Sequence, residues 1–255
     1  MKGNSDEVIA IAGKGGVGKT AVSAIATKLL RNKVNLLVID ADPVVSLAFA
    51  LGENPSTTIG DYREKIIEFP EEKKKVSGQA IKKVIESLIH ESKNGFGLLV
   101  MGRAEGPGCF CSLNELLRYG IEQVSRNYNI TLVDCEAGIE QVNRRALYKI
   151  DKLLLIADTS MRAIETTIRV KEIAEKHAQS DSLESYVIVN RVKSYNDKAH
   201  LNEIITALGL NLGGFLPEDR NIQEYNLSGK PLIDLPEDSP SVLGVGRILK
   251  RLNII

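Results

Sequence analysis

The sequence predicts an α/β fold built on a single doubly wound, mostly parallel sheet with helices on both faces. Short, near-continuous apolar runs alternate with stretches whose apolar residues recur at helical spacing, from Val8 to Leu252, and that alternation is the signature of βαβ units. The runs are apolar throughout rather than on every second residue, as parallel strands covered on both faces require. Several end in Asp, Asn or Pro, which puts polar groups at the carboxyl edge where open α/β sheets bind ligands. Residues 1–255 are expected to form one domain.

Composition narrows the function classes. Hydrophobic residues make up 43% and charged residues 26% of the chain, an ordinary soluble balance. A formal net charge of zero removes the simplest electrostatic case for nucleic-acid binding. No apolar run approaches the roughly 18 residues of a membrane span, and Met1 to Glu7 is polar and acidic rather than a signal peptide. A cytoplasmic protein without membrane or nucleic-acid partners is expected. Three cysteines do not make a disulfide framework in a chain this long.

The first strand runs over Val8 to Ala12 and the first helix over Ala21 to Leu30. Between them stands Gly13-Lys14-Gly15-Gly16-Val17-Gly18-Lys19-Thr20, a G-x-x-x-x-G-K-T phosphate loop in the strand-to-helix context that makes the motif credible. Its glycines let backbone N–H groups converge on phosphate oxygens, and the helix N-terminus adds its positive dipole end. Lys19 can reach the outer phosphates of a nucleoside triphosphate, while the Thr20 hydroxyl suits Mg²⁺, a hard ion that prefers oxygen. Nucleotide contact is expected along Gly13, Lys14, Gly15, Gly16, Val17, Gly18, Lys19, Thr20 and Ala21.

A second strand, Asn35 to Asp40, ends in Asp40-Ala41-Asp42-Pro43, with two carboxylates at the ligand-binding edge. Residues 56–90 read as two or three surface helices without chemistry, and His90, His177 and His200 as surface residues. Gly97 to Met101 is a third strand. A Gly- and Pro-containing loop then leads into Cys109-Phe110-Cys111-Ser112 and a helix over Leu113 to Val124, with Ser112 as expected N-cap and Glu115 completing a capping box. Ile130 to Asp134 is a fourth strand, followed by Cys135-Glu136-Ala137-Gly138. A strand-end Asp can hold Mg²⁺ through water while a Gly N–H four residues on approaches the γ-phosphate, so Asp134 and Gly138 are candidates for those roles.

Further strands are expected at Lys152–Ala157, Tyr186–Asn190 and Leu212–Leu216, with helices at Ala163–His177, Lys198–Leu208, Ile222–Leu227 and Val242–Leu252. Asn190-Arg191 and Pro217-Glu218-Asp219 fall at strand ends, where an Asn amide can both donate to and accept from a base edge.

Cys109 and Cys111 cannot easily form a disulfide across one residue. Two thiols beside a helix N-terminus are instead predisposed to ionise and bind a soft or borderline metal. One chain supplies two ligands, and a two-fold dimer would supply four, a set suited to Zn²⁺, Ni²⁺ or an iron–sulfur cluster. Cys135 is expected to be a small buried hydrophobe.

Lys14, which the loop geometry does not require, completes the KGGVGKT string of Lys14 to Thr20. There the chain resembles the deviant Walker A ATPases, the class of MinD, ParA and the nitrogenase iron protein. The resemblance implies a homodimer that binds ATP or ADP with Mg²⁺, with Lys14 reaching the partner's nucleotide. It also implies an attacking water positioned by Asp42 and a Mg²⁺ hydration shell supported by Asp40. Asn190 and Arg191 would then read the base, and Pro217, Glu218 and Asp219 would close over it. Catalysis would rest on Lys14, Lys19, Asp42 and Asp134. With Cys109-x-Cys111 and Asp134-x-x-Ala137-Gly138-Ile139-Glu140 added, the chain looks like the CooC group of carbon monoxide dehydrogenase accessory proteins. That implies a nickel- or zinc-binding metallochaperone serving carbon monoxide dehydrogenase or acetyl-CoA synthase. Two other classes stay open: an electron-transfer ATPase with a subunit-bridging iron–sulfur cluster, and a ParA/MinD-type positioning ATPase.

Overall fold

The expected apolar runs form strands because each is buried on both faces. The computed structural model describes residues 6–68, 78–103, 111–135, 149–177 and 183–255. In it β1 (Glu7–Gly13), β2 (Leu36–Asp40), β4 (Gly97–Val100), β5 (Ile130–Asp134), β6 (Lys152–Ala157), β7 (Glu184–Val192) and β8 (Leu212–Pro217) run parallel. With the two-residue edge strand β3 (His90–Glu91), the sheet formed by the described residues has eight strands in the order β3-β4-β2-β5-β1-β6-β7-β8. Every residue of β2, β4, β5 and β6 is buried, the burial that requires a run apolar on both sides.

The order fixes where a ligand can sit. From β1 the chain moves towards β2 on one side and later towards β6 on the other. Right-handed crossovers place helices on both faces and open a crevice at the carboxyl end of β1. Helix α1 (Lys19–Leu30) fills the crossover after β1 and buries residues over most of its circumference, from Val22 to Leu30. It packs against the C-terminal helix α9 (Pro240–Arg251) and the 3₁₀ turn Leu232–Asp234, while α6 (Met161–His177) covers β6 and β1. Helix α9 spends its apolar stripe, Val242, Val245, Ile248 and Leu249, inside the core, and among the described residues no helix is long and apolar enough to cross a membrane.

Four sequence expectations change. A short helix, α2 (Ser46–Ala50), follows β2; five residues are too few to show a period. Helices α3 (Ile59–Glu68) and α4 (Gly78–Leu88) are not merely superficial, because Ile59, Ile66, Ile81 and Ile85 join the core. His90 is not helical: with Glu91 it forms β3, an antiparallel edge strand on β4, and its Nε2 lies 2.8 Å from the Glu53 carboxylate. Finally, α5 (Cys111–Ser125) begins at Cys111, so Ser112 lies within its first turn and is not the cap. Helices α7 (Tyr195–Ala207) and α8 (Arg220–Ser228) complete the set.

Candidate functional site: a phosphate-loop cavity

The phosphate loop is built by close packing. Gly13 ends β1 with φ +150°, and a Cβ there would stand 2.1 Å from the Ile156 carbonyl oxygen of β6, so no other residue fits without moving the sheet. Gly18 caps α1 in the left-handed region with no side-chain cap bond, leaving first-turn N–H groups for a ligand. Its missing Cβ makes room for Asn190, whose Nδ2 would be 2.4 Å away.

Around this loop lies a cavity of about 1030 Å³. Its walls bring together Gly15, Gly16, Gly18, Lys19, Thr20, Ala21, Asp42, Asn190, Arg191, Pro217, Glu218 and Asp219, residues separated by up to 200 positions in the sequence. Lys14 is exposed, and its carbonyl accepts a hydrogen bond from Lys19 Nζ at 3.3 Å, which curls the Lys19 ammonium over the loop. Cys111 opens α5; Cys109 and Gly138 lie outside the described residues.

Behind Thr20, which lines the cavity, a buried carboxylate gathers hydroxyls. Thr20 Oγ1 donates to Asp134 Oδ2 at 2.9 Å and Ser23 Oγ donates to Oδ1 at 2.8 Å. Asp134 is 1% exposed, and burial, assisted by the charge of Asp40, pushes its pKa up to about 7 against the pull of these hydroxyls. The donor set is hydroxyl and carboxylate oxygen, which suits Mg²⁺. Asp42 accepts from Val44 N at 2.9 Å and from Ser46 Oγ at 3.0 Å.

Three of the expected site residues also make hydrogen bonds within the chain that their sequence positions do not announce. Asp40 is fully buried, and its carboxylate accepts from the backbone N–H groups of Asp42, Leu47 and Ala48 at 3.1, 2.9 and 3.0 Å. It braces the loop before α2 rather than facing the cavity; burial raises its pKa to about 6, against the pull of these N–H groups. Asn190 has its amide engaged at both ends: Nδ2 donates to Val17 O and Oδ1 accepts from Arg191 N, both at 2.9 Å. It clamps the phosphate loop. The Asp219 carboxylate accepts from Asn221 N, Ser239 Oγ and Ser241 N, tying α8 to α9. Sequence reasoning also missed Ser23, Ser46, Gln223 and Asn226. Ser23 could have been found, because it lies three residues after Thr20 and so shares a helix face with it.

A sequence profile of the CobQ/CobB/MinD/ParA nucleotide binding domain matches residues 8–232. The chain belongs to this nucleotide-binding family. The family assignment agrees with the likeness to an uncharacterized ATP-binding protein of Methanocaldococcus jannaschii, 37% identical over 249 residues and covering 96% of this chain and 98% of that one. Carbon monoxide dehydrogenase accessory protein CooC of Rhodospirillum rubrum is 27% identical over 89% of each chain. Among solved structures, the MinD cell division protein of Aquifex aeolicus has a TM-score of 0.70 at 27% identity, covering 98% of this chain and 97% of that one. The CooC likeness is thus matched in identity by a MinD protein, and the family rather than the CooC group is what these similarities establish. Cys135, the expected buried hydrophobe, is 1% exposed with its thiol pKa pushed up by burial and by the Asp134 charge; within this family fold it is a core side chain and a poor thiolate donor.

The elevated carboxylate gives a signed expectation. A folded-state pKa of about 7 against an unfolded value near 3.8 means the native state holds the extra proton, so this group's contribution to stability falls as pH rises from about 4 to 7. Asp134→Asn, which removes the buried charge, is expected to stabilise the ligand-free chain by about 2 kcal/mol at pH 8 and by almost nothing at pH 4.5. Urea unfolding at the two pH values measures it.

Proposed function

We propose that the chain is a Mg²⁺-dependent ATPase working as a homodimeric nucleotide switch, and that the dimer handles a transition metal through Cys109 and Cys111. The observation that carries the ATPase reading is the Thr20–Asp134–Ser23 cluster, which reaches a cavity walled by the phosphate loop through Thr20. Loop N–H groups and Lys19 would hold the phosphates; Thr20 and Asp134 would hold Mg²⁺, which when bound neutralises phosphate charge. Asp42, at the cavity wall, orients water by accepting a hydrogen bond from it. Lys14, exposed at the loop's edge, is free to reach a second copy. Base recognition falls to Asn190, whose amide keeps a second N–H and a second lone pair, together with Arg191, Glu218, Gln223 and Asn226 along the same wall.

The metal-handling part is supported by the Cys-x-Cys pair leading into α5 and by the CooC likeness. Nickel would be cargo for a client enzyme such as carbon monoxide dehydrogenase or acetyl-CoA synthase. The cluster alternative loses one donor, since the Cys135 thiol is sealed in the core. The test is anaerobic purification followed by metal analysis after incubation with Ni²⁺ or Zn²⁺. About one metal per dimer, lost in Cys109→Ser and in Cys111→Ser, supports the reading. A brown protein with four irons per dimer, or wild-type protein that takes up no metal, overturns it.

A further inference from the structure

Two hydroxyl oxygens stand close together in the cavity, and each also bonds a carboxylate. Ser46 Oγ and Thr20 Oγ1 are 3.5 Å apart, and both residues line the cavity. Each hydroxyl has one hydrogen. That of Thr20 is directed to Asp134 Oδ2 at 2.9 Å and that of Ser46 to Asp42 Oδ2 at 3.0 Å. With both hydrogens so directed, oxygen lone pairs border the gap on each side, an arrangement that favours something electropositive beside it. The carboxylates of Asp42 and Asp134, one at each end of this four-residue chain, supply compensating negative charge. Neighbouring oxygens around an octahedral Mg²⁺ stand about 3 Å apart, so the pair needs to close by only about half an ångström.

The backbone shows that Ser46 is placed with effort. The residue before it, Val45, holds φ +60°, a left-handed conformation that a β-branched side chain resists. Such strain persists only where the surroundings over-determine it. Here Val45 N donates to Asp42 O at 3.0 Å, while Asp40 grips the two N–H groups that follow Ser46.

We infer that the Ser46 hydroxyl is a second cation-facing group of the site, paired with Thr20, which links the nucleotide's divalent cation to Asp42. The inference rests on the ATPase reading above, and it adds a positioning residue from the segment after β2, next to the end of the phosphate loop. Occupation of the Thr20–Ser46 gap draws on Ser46's lone pair while its proton stays on Asp42, so the cation and the water-orienting carboxylate are held by one side chain.

The test compares the affinity of a fluorescent ADP analogue in EDTA with that in saturating Mg²⁺, the ratio being the cation–nucleotide coupling. Ser46→Ala is expected to leave the EDTA affinity unchanged within about twofold and to reduce the coupling about tenfold, the size of one lost charge-assisted contact. Ser46→Cys should recover coupling with Cd²⁺, in excess of the Cd²⁺ effect on wild type, but not with Mg²⁺, following ligand softness. A merely structural Ser46 would show no such metal preference. Ser46→Ala that retains its Mg²⁺ coupling, or Ser46→Cys without a cadmium preference, overturns this inference and leaves the ATPase reading standing. Wild-type protein that binds the analogue in neither condition overturns both.

Discussion

Lys19→Ala is expected to weaken ATP binding at least 100-fold and to reduce hydrolysis below detection, while the melting temperature moves by only a few degrees. The size follows from what is removed. Lys19 lines the cavity within the phosphate loop itself, and its ammonium is oriented there by the Lys14 carbonyl. Charge-assisted bonds to phosphate contribute about 1.5 to 3 kcal/mol each, and one ammonium can make two. The side chain braces no core residue, so stability has little reason to follow. Titration calorimetry with ATP and a thermal melt on the same sample read both halves.

Lys14→Gln should behave differently, and the contrast is informative. Lys14 is exposed and does not line its own chain's cavity, so ADP binding to the monomer is expected within about threefold of wild type. Hydrolysis is expected to fall at least 100-fold, because a transition-state charge contact supplied in trans is a large term in phosphoryl transfer. The backbone carbonyl that holds Lys19 survives the substitution. Steady-state turnover and ADP affinity, measured side by side, separate the two effects; equal loss of both would contradict a cross-subunit role.

Much of the fold was legible because buried parallel strands leave a strong trace. Leu36 to Asp40 and Ile130 to Asp134 are near-continuous apolar runs, the second interrupted only by Thr131, each capped by a carboxylate as a covered strand would be. The phosphate loop was equally plain, since its glycines answer contacts that no Cβ could survive, such as the one between Gly13 and Ile156. Shorter elements left no trace. Ser46–Ala50 is barely more than a helical turn, and His90–Glu91 is a two-residue edge strand held partly by Glu53, whose half-buried carboxylate is kept below its ordinary pKa, against desolvation, by hydrogen bonds from Ser92, His90 and Asn94.

The site was legible in position but less so in role. A polar residue at a strand end looks the same in sequence whether it faces a ligand or braces a loop. Asp40, Asn190 and Asp219 all stand at such ends and all three brace neighbouring backbone or side chains, Asn190 and Asp219 while also lining the cavity. Asp42 and Asp134, with the same signature, carry hydroxyls that open onto the cavity. What separates the two groups is which N–H groups the tertiary fold brings within reach, and that is set by the short helix α2, by α1 and by α9 rather than by the strands themselves. Ser46 escaped notice for the same reason, since its meeting with Thr20 depends on a left-handed Val45 that no periodicity announces.

The most direct test of the account is steady-state ATP turnover by the purified wild-type chain, with Mg²⁺ and with EDTA, over a range of protein concentration. The account predicts phosphate release that requires Mg²⁺ and whose rate per chain rises with protein concentration as the dimer forms. Turnover absent under all conditions, or present in EDTA and independent of protein concentration, would contradict it.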